Sequence, residues 1–246
     1  GCLLEIGFAL ETCYAYYLAD LGMDPTADVF GRRAVFVLMK DGEQWNKWVD
    51  RFGGREKEFT RKMGGTGGGL VFGWRQRDKA TTVLRKDSTM HRAVHMLNQK
   101  VWGFQGGAWI DEGLDYYYTV KVQETCLTHC VAIKRGNYAK PGDEGGMKDW
   151  GDPKNWKPNV KTLVQKKNDV PLRTLILKPI TQLEFDATIK SWSFISWLMD
   201  KDRDTFIGLL KQMRENNKHI MLVESLFEKG CEEVDEDWQR YVLRNY

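Results

Sequence analysis

The spacing of hydrophobic residues predicts helices at the start and in the middle of the chain. Apolar side chains recur every three or four positions over residues 3–21, and Gly22 and Pro25 follow as stop signals. The same period predicts a helix over 88–103, with Ser88 as its N-cap, and a second one over 109–131. From residue 172 onward the pattern is helical throughout, with helices predicted over 185–199, 203–215, 221–228 and 236–243.

Between the first helix and residue 88, the pattern favours strands. Residues 33–39 form a short apolar run that predicts a buried strand, and 43–51 predict a short helix with Trp45 on its apolar face. Residues 70–74 and 80–84 predict a hairpin around a polar turn, and the glycine-rich stretch 53–69 predicts a mobile loop.

These elements predict an α+β fold. We expect a small mixed sheet with an edge hairpin in the N-terminal part. The helices with the candidate metal-site residues are expected in the middle, and an all-helical lobe is expected at the C-terminal end. The expected parts of this single domain are 1–133, an exposed insertion over 134–160, and the lobe 161–246. The insertion is rich in Gly, Pro, Lys and Asp, and Trp150 and Trp156 are predicted to be contact anchors there. The alternative is that both indoles pack back onto the domain.

The amino-acid composition excludes several classes of protein. Of 246 residues, 42% are hydrophobic and 29% are charged, with 37 basic and 34 acidic residues, which excludes a disordered chain. The net charge of +3 does not predict nucleic-acid binding, and no apolar run is long enough to span a membrane. Five cysteines, mostly far apart in sequence, do not indicate a disulfide framework.

The first residues predict that the chain is a processed or excised piece. Gly1 stands where an initiator Met is expected, and residues 1–22 have the pattern of a helix and lack the basic start of a signal peptide. A targeting signal is therefore expected upstream, if anywhere, and the sequence does not identify a compartment. An exported or envelope-associated bacterial protein is one option.

Two segments suggest phosphate or nucleic-acid binding but lack the required residues. The glycine run 64–69 has no following Gly-Lys-Ser/Thr and no GxGxxG register, so a flexible loop is the better interpretation. The basic segment 51–62 is interrupted by Glu56 and Glu58, which favours a solvated loop.

The candidate functional residues lie in the two middle helices. His91 and His95 are one helical turn apart, so both imidazoles project from the same face, and Glu112 lies on the next predicted helix. Two His and one Glu, with water as the fourth ligand, form the ligand set of a catalytic zinc. The alternative is that the two histidines are half-buried and only form hydrogen bonds.

The motif His91-x-x-x-His95 followed by Trp109-x-x-Glu112-Gly113 resembles the gluzincin branch of the zincin metallopeptidases, particularly bacterial peptidase-MA-like domains. The resemblance extends over nearly the whole chain, since segments 191–194, 202–206 and 234–238 fit the helical lobe of that family. It implies a zincin-like fold and a zinc ion held by the two histidines and Glu112. It also implies that strand 70–74 lies beside a substrate and that Asp115 is a candidate for supporting the ligands.

Arg92 departs from this family. The gluzincin motif is His-Glu-x-x-His, in which the Glu deprotonates the zinc-bound water, and Arg92 cannot accept that proton. Asp87 and Asp111 are not placed by spacing to replace the Glu. We therefore expect a degenerate, non-catalytic domain (a pseudopeptidase) that acts as a binding or structural subunit with a protein partner. Its zinc ion is either retained or lost together with the base. The alternative is an active zinc peptidase with a displaced general base.

Overall fold

The computed structural model describes residues 2–31, 33–39, 41–52, 57–58, 65–68, 71–75, 82–103, 107–127 and 152–246. This part of the chain contains ten α-helices of at least six residues. They are α1 (Cys2–Asp20), α2 (Gly42–Phe52), α3 (Thr82–Leu97), α4 (Ala108–Gln123), α5 (Trp156–Gln165), α6 (Leu172–Leu177), α7 (Phe185–Lys201), α8 (Arg203–Glu215), α9 (His219–Phe227) and α10 (Cys231–Asn245). A π-helical turn over Asn98–Trp102 extends α3, and 3₁₀ turns lie at Pro153–Asn155 and Ile180–Gln182.

Helices build the main core. Helix α4 packs against α1, α3 and α7, and α7 in turn contacts α5, α8 and α10. The buried side chains of this core are mostly large and apolar, among them Tyr17, Trp109, Tyr118, Phe194 and Trp238. Because these helices are covered on several sides by their neighbours, the core does not need a sheet to close it.

Gly113 sets the close approach of α4 and α7. A Cβ at this position would lie 2.7 Å from Ile195 Cγ1 and 3.1 Å from the carbonyl oxygen of Ser191, closer than ordinary contacts allow. A glycine is therefore required where the two helices cross, because any larger residue would push them apart. This crossing fixes the position of Glu112, the preceding residue of α4.

The strands form a minor feature. Strands β1 (Val35–Met39), β2 (Gly65–Gly68) and β3 (Val71–Arg75) have the order β1–β3–β2. β1 is parallel to β3, with Val35 opposite Val71, and β2 is antiparallel to β3. At the end of β1, Met39 packs with Trp45 and Val49 of α2 in a cluster separate from the main core.

The predicted α+β, zincin-like fold is wrong, because the described chain is essentially all-α. The three strands are only four or five residues long and their sheet contacts α2, whereas the buried core is made by helices. The sequence pattern overstated the strands because short apolar runs fit a strand or a buried helix equally well. The region predicted as the second hairpin strand, 80–84, shows this error, since Thr82 to Leu84 are the first turn of α3.

Other local predictions were wrong at element boundaries. Helix α3 begins at Thr82, so Ser88 lies inside the helix and is not its N-cap. Residues 65–68 of the predicted mobile loop form β2. Helix α4 ends at Gln123, with Glu124 in the left-handed region at φ 56°, eight residues before the predicted end. The first two helices, β1 and the helices predicted at 185–199, 203–215 and 221–228 lie within two residues of their predicted bounds. Helix α10 begins five residues before its predicted start, and no bounds were predicted for α5 and α6.

The prediction that Trp156 is a surface contact anchor is wrong, whereas the exposed insertion over 134–160 stays a prediction. Trp156 begins α5 and is completely buried, with its ring edge against Trp192 at a centroid distance of 5.2 Å. Trp156 is therefore a core residue, as the alternative interpretation held, and not a surface anchor. Trp150 and the rest of 134–151 lie outside the described residues.

Among the helices of the described residues, none has both the length and the apolar composition needed to cross a membrane.

Candidate metal centre

Two helices bring four potential metal ligands together. His91 and His95 lie one turn apart on α3, with ring centroids separated by 4.8 Å. Glu112 and Asp115 lie three residues apart on α4, so their carboxylates share one face of that helix. One ligand atom from each of the four residues falls within 4.8 Å of all the others, so these side chains could hold a metal ion.

The ligand atoms of the two helices lie close enough together to contact one metal ion. His91 Nε2 lies 3.6 Å from a carboxylate oxygen of Glu112 and 3.8 Å from Asp115 Oδ2. His95 Nε2 lies 3.4 Å from Glu112 Oε1 and 2.6 Å from Asp115 Oδ2. Ligands at metal distances of about 2.0–2.1 Å in a tetrahedron are separated by about 3.3 Å, which lies within the observed range.

The cluster is enclosed by the protein. The side chains of His91 and Asp115 are completely buried, that of Glu112 is 3% exposed and that of His95 is 18% exposed. Buried carboxylates and imidazoles need a compensating charge or hydrogen bonds, because removing them from water is costly. In the described part of the chain, Glu112 Oε1 accepts no hydrogen bond, and Asp115 Oδ2 lies 2.6 Å from His95 Nε2. A cation at the centre of the cluster would satisfy both oxygens, so the residues fit a metal ion.

Asp111 fixes the tautomer of His95. Its Oδ2 lies 3.0 Å from His95 Nδ1, and since a carboxylate only accepts, Nδ1 donates this hydrogen bond. Burial would raise the pKa of Asp111, but the charge of His95 and the hydrogen bonds from His95 and Asn98 lower it below its usual value. Asp111 therefore stays ionised. Whenever His95 is neutral, its proton lies on Nδ1 toward Asp111, and the lone pair of Nε2 faces the cluster. This carboxylate–histidine arrangement is typical of metal sites.

Asn98 connects the two aspartates of α4 to α1. Its side-chain amide donates to Asp111 Oδ1 at 2.6 Å and to Asp115 Oδ1 at 3.2 Å. Its carbonyl oxygen accepts from the hydroxyl of Tyr17 at 2.7 Å, so the orientation of the amide group is fixed. Because Oδ1 of Asp115 is held by Asn98, Oδ2 is the oxygen that faces the histidines. Asn98 itself is the first residue of the π-helical turn, a distortion often found at functional sites.

Electrostatics also favour a cation between His95 and Asp115. Burial raises the pKa of Asp115 well above its usual range, although His95 acts in the opposite direction. Nε2 of the neutral tautomer and an ionised Oδ2 are both acceptors, and at 2.6 Å they repel each other unless a positive charge lies between them. Either a proton or a metal ion can supply that charge. A metal ion would also reverse the effect of burial on the carboxylate.

The structure brings together all three predicted ligands, His91, His95 and Glu112, and adds Asp115. Sequence reasoning expected water as the fourth ligand and gave Asp115 only a supporting role, but its oxygen is as close to the histidines as that of Glu112. The sequence feature that could have identified Asp115 as a ligand is the spacing Glu112-x-x-Asp115, which puts both carboxylates on the same helical face. Asn98 and Tyr17 were missed, since their roles depend on contacts between residues distant in sequence.

The two aspartates considered as substitute bases have other contacts. Asp111 binds the Nδ1 side of His95, away from the Nε2 atom that faces the cluster. Asp87 accepts hydrogen bonds from Thr125 Oγ1 and the backbone amide of Leu127, both at 2.8 Å, and so anchors the segment after α4. Both carboxylates are therefore engaged by other groups, and whether either acts as a general base stays a prediction.

Comparison with protein-family models, curated proteins and solved structures finds no match for this chain. The resemblance to gluzincins consequently depends on the sequence motif alone.

Proposed function

We propose that this protein is a non-catalytic binding or structural domain that holds a zinc ion as part of its core. The observation that carries the proposal is the fourth potential ligand, the carboxylate of Asp115. Asp115 Oδ2 adds a fourth potential protein ligand to the cluster, whereas a hydrolytic zinc enzyme has three protein ligands and leaves the fourth position to water. Four protein ligands without an open position are typical of structural zinc sites, which contribute directly to folding stability.

The ligand set favours zinc among the divalent metals. Two imidazole nitrogens with two carboxylate oxygens suit zinc, and the separations of 2.6–3.8 Å suit a four-coordinate ion. Calcium and magnesium prefer six or more oxygen ligands, which the four side chains of this cluster do not offer. When bound, zinc would supply the positive charge that the buried carboxylates require and would join α3 to α4.

Arg92 supports a non-catalytic role. It follows His91 on α3, at the position where a gluzincin carries its general base. A guanidinium does not accept a proton at ordinary pH, and Asp87 and Asp111 have other partners. The descent of this domain from gluzincin peptidases remains a prediction from the motif.

A role in binding another protein is supported by the surface of α1. Leu3, Leu4 and Phe8 are 73%, 64% and 67% exposed near the start of this helix. Contiguous exposed apolar side chains are commonly found where another protein or a further part of the same chain packs. Trp156 is buried and no longer supports a protein partner, so the proposal depends on this face of α1.

Two measurements test the proposal: the cleavage of a protein substrate, and the melting temperature of variants of the zinc-loaded protein. We expect the zinc-loaded protein to cleave no unfolded protein substrate such as casein, and Arg92→Glu to remain inactive because the fourth position is still filled. We expect Asp115→Ala to lower the melting temperature of the zinc-loaded protein, with Glu11→Ala on the exposed face of α1 as a control. Chelator-sensitive cleavage by the wild-type protein would overturn the non-catalytic assignment and favour an active peptidase.

A further inference from the structure

A surface cleft separate from the metal centre has the properties of a small-molecule site. The cavity has a volume of about 930 Å³ and lies between the loop after α1, the π-helical turn and α8. Its apolar lining includes Met23, Val29, Trp102 and Ile207, and none of the four metal-ligand residues contributes to it. Small-molecule sites typically have volumes of about 300–1,000 Å³ and a largely apolar lining with a few polar groups.

Three basic side chains line the same cleft. Lys211 and Arg214 lie one turn apart on α8, and Lys100 projects from the π-helical turn. Arg214 donates to the carbonyl oxygen of Val101 at 3.5 Å, which brings the basic part of α8 beside Lys100. Within the described residues, none of these three cations has a carboxylate within ion-pair distance.

Two acidic residues also line the cleft and reduce the net charge of its lining from +3 to +1. Asp204 lies in the first turn of α8, about 10 Å along the helix from Lys211. Glu215 is the last residue of α8 and forms no ion pair with the three cations in the described chain. The cleft therefore combines an apolar wall with a cationic cluster near one end.

We propose that this cleft binds a small amphiphile with a single anionic head group, either a carboxylate or a phosphate. The head group would be bound by Lys100, Lys211 and Arg214, since charge-assisted hydrogen bonds are stronger than neutral ones. The hydrocarbon part would cover Met23, Val29 and Ile207 and remove apolar surface from water. This binding site goes beyond the proposed zinc function and does not depend on it.

The experiment measures the binding of four small probes to the whole protein by titration calorimetry. Decanoate and decyl phosphate carry both the chain and the charge, decanol carries the chain alone, and acetate carries the charge alone. We expect decanoate or decyl phosphate to bind with a micromolar dissociation constant, and decanol and acetate to bind at least about tenfold more weakly. The head group that binds more tightly identifies the source of the anion.

Charge reversal locates the site. Lys211→Glu should weaken binding of the preferred anion by about tenfold or more, while Lys166→Glu, an exposed lysine outside the cleft, should leave it unchanged. Circular dichroism checks that both variants fold. The proposal is overturned if no amphiphile binds below about 1 mM, if decanol binds as tightly as decanoate, or if both variants weaken binding equally. Binding of an acidic peptide without binding of either amphiphile would also overturn it, in favour of a protein segment.

Discussion

His95 Nδ1 donates a hydrogen bond to Asp111 Oδ2 at 3.0 Å, and this contact aims Nε2 of the same ring at Asp115 and Glu112. The ring can therefore serve as a metal ligand through Nε2 without rotating, because its other nitrogen is already bound. Asn98 holds Asp111 in turn, so the orientation of the ligand depends on a chain of contacts that reaches the π-helical turn.

Asp111→Asn is expected to weaken zinc binding by about 10–100-fold. An asparagine can still accept from Nδ1, but it lacks the negative charge that makes the imidazole a stronger ligand. The affinity is measured by competition with a chelating dye. Glu11→Gln, an exposed change on α1, is the matched control and should have no effect. Equal affinities for the wild type and Asp111→Asn would show that Asp111 does not support the ligand.

A buried ion network stabilises the C-terminal helices. Lys190, with a side chain only 1% exposed, lies 2.8 Å from Asp169 and 2.6 Å from Asp235, and its ammonium lies 4.2 Å from the ring centroid of Trp238. Lys190→Met should lower the free energy of unfolding by about 3–5 kcal/mol, because it leaves two buried carboxylates without a counter-charge.

The control for this network is a surface lysine. Lys229 pairs with Asp237 at 2.6 Å, but its side chain is 45% exposed. Lys229→Met should cost less than about 1 kcal/mol, since exposed ion pairs are weak. Both losses are measured by urea denaturation. Similar losses for the two variants would contradict the assignment of Lys190 to a buried network.

Gly107, the N-cap of α4, is restricted by its backbone and by its neighbour. It has φ +83°, and a Cβ there would lie 2.2 Å from Cε1 of the buried His219. Gly107→Ala should destabilise the protein by about 3 kcal/mol, through left-handed strain and overpacking together. Gly31→Ala isolates the strain, because Gly31 has φ +72° and a Cβ there would meet no described atom within 4 Å. This second change should cost about 1–2 kcal/mol.

Chemical denaturation measures how much each glycine variant lowers the free energy of unfolding. In a His219→Ala background the cost of Gly107→Ala should fall toward that of Gly31→Ala, since the ring is no longer present. A cost that does not change in that background would show that His219 does not restrict this position.

The metal ligands could be predicted from sequence because their signal is local. His91 and His95 lie one turn apart, and Glu112 and Asp115 lie on one face of the next helix. The contribution of Asn98 could not be predicted, because it joins Tyr17, Asp111 and Asp115 across three elements.

The fold class was harder to predict than the site. Short apolar runs such as residues 80–84 fit a strand or a helix, and only packing against other helices decides between them. Trp156 shows the same limit, since a tryptophan beside a polar, glycine-rich segment was expected at the surface but fills the core next to Trp192. Boundaries were least predictable where left-handed residues such as Glu124 end a helix without a glycine.

The most direct test of the central claim is the metal content of the purified protein, measured by elemental mass spectrometry after purification in the presence of zinc. A buried site with four protein ligands predicts about one zinc per chain, and its loss in His91→Ala. His219→Ala, which changes a histidine outside the cluster, should retain the metal. Absence of zinc from the wild type, or an unchanged zinc content in His91→Ala, would contradict the account.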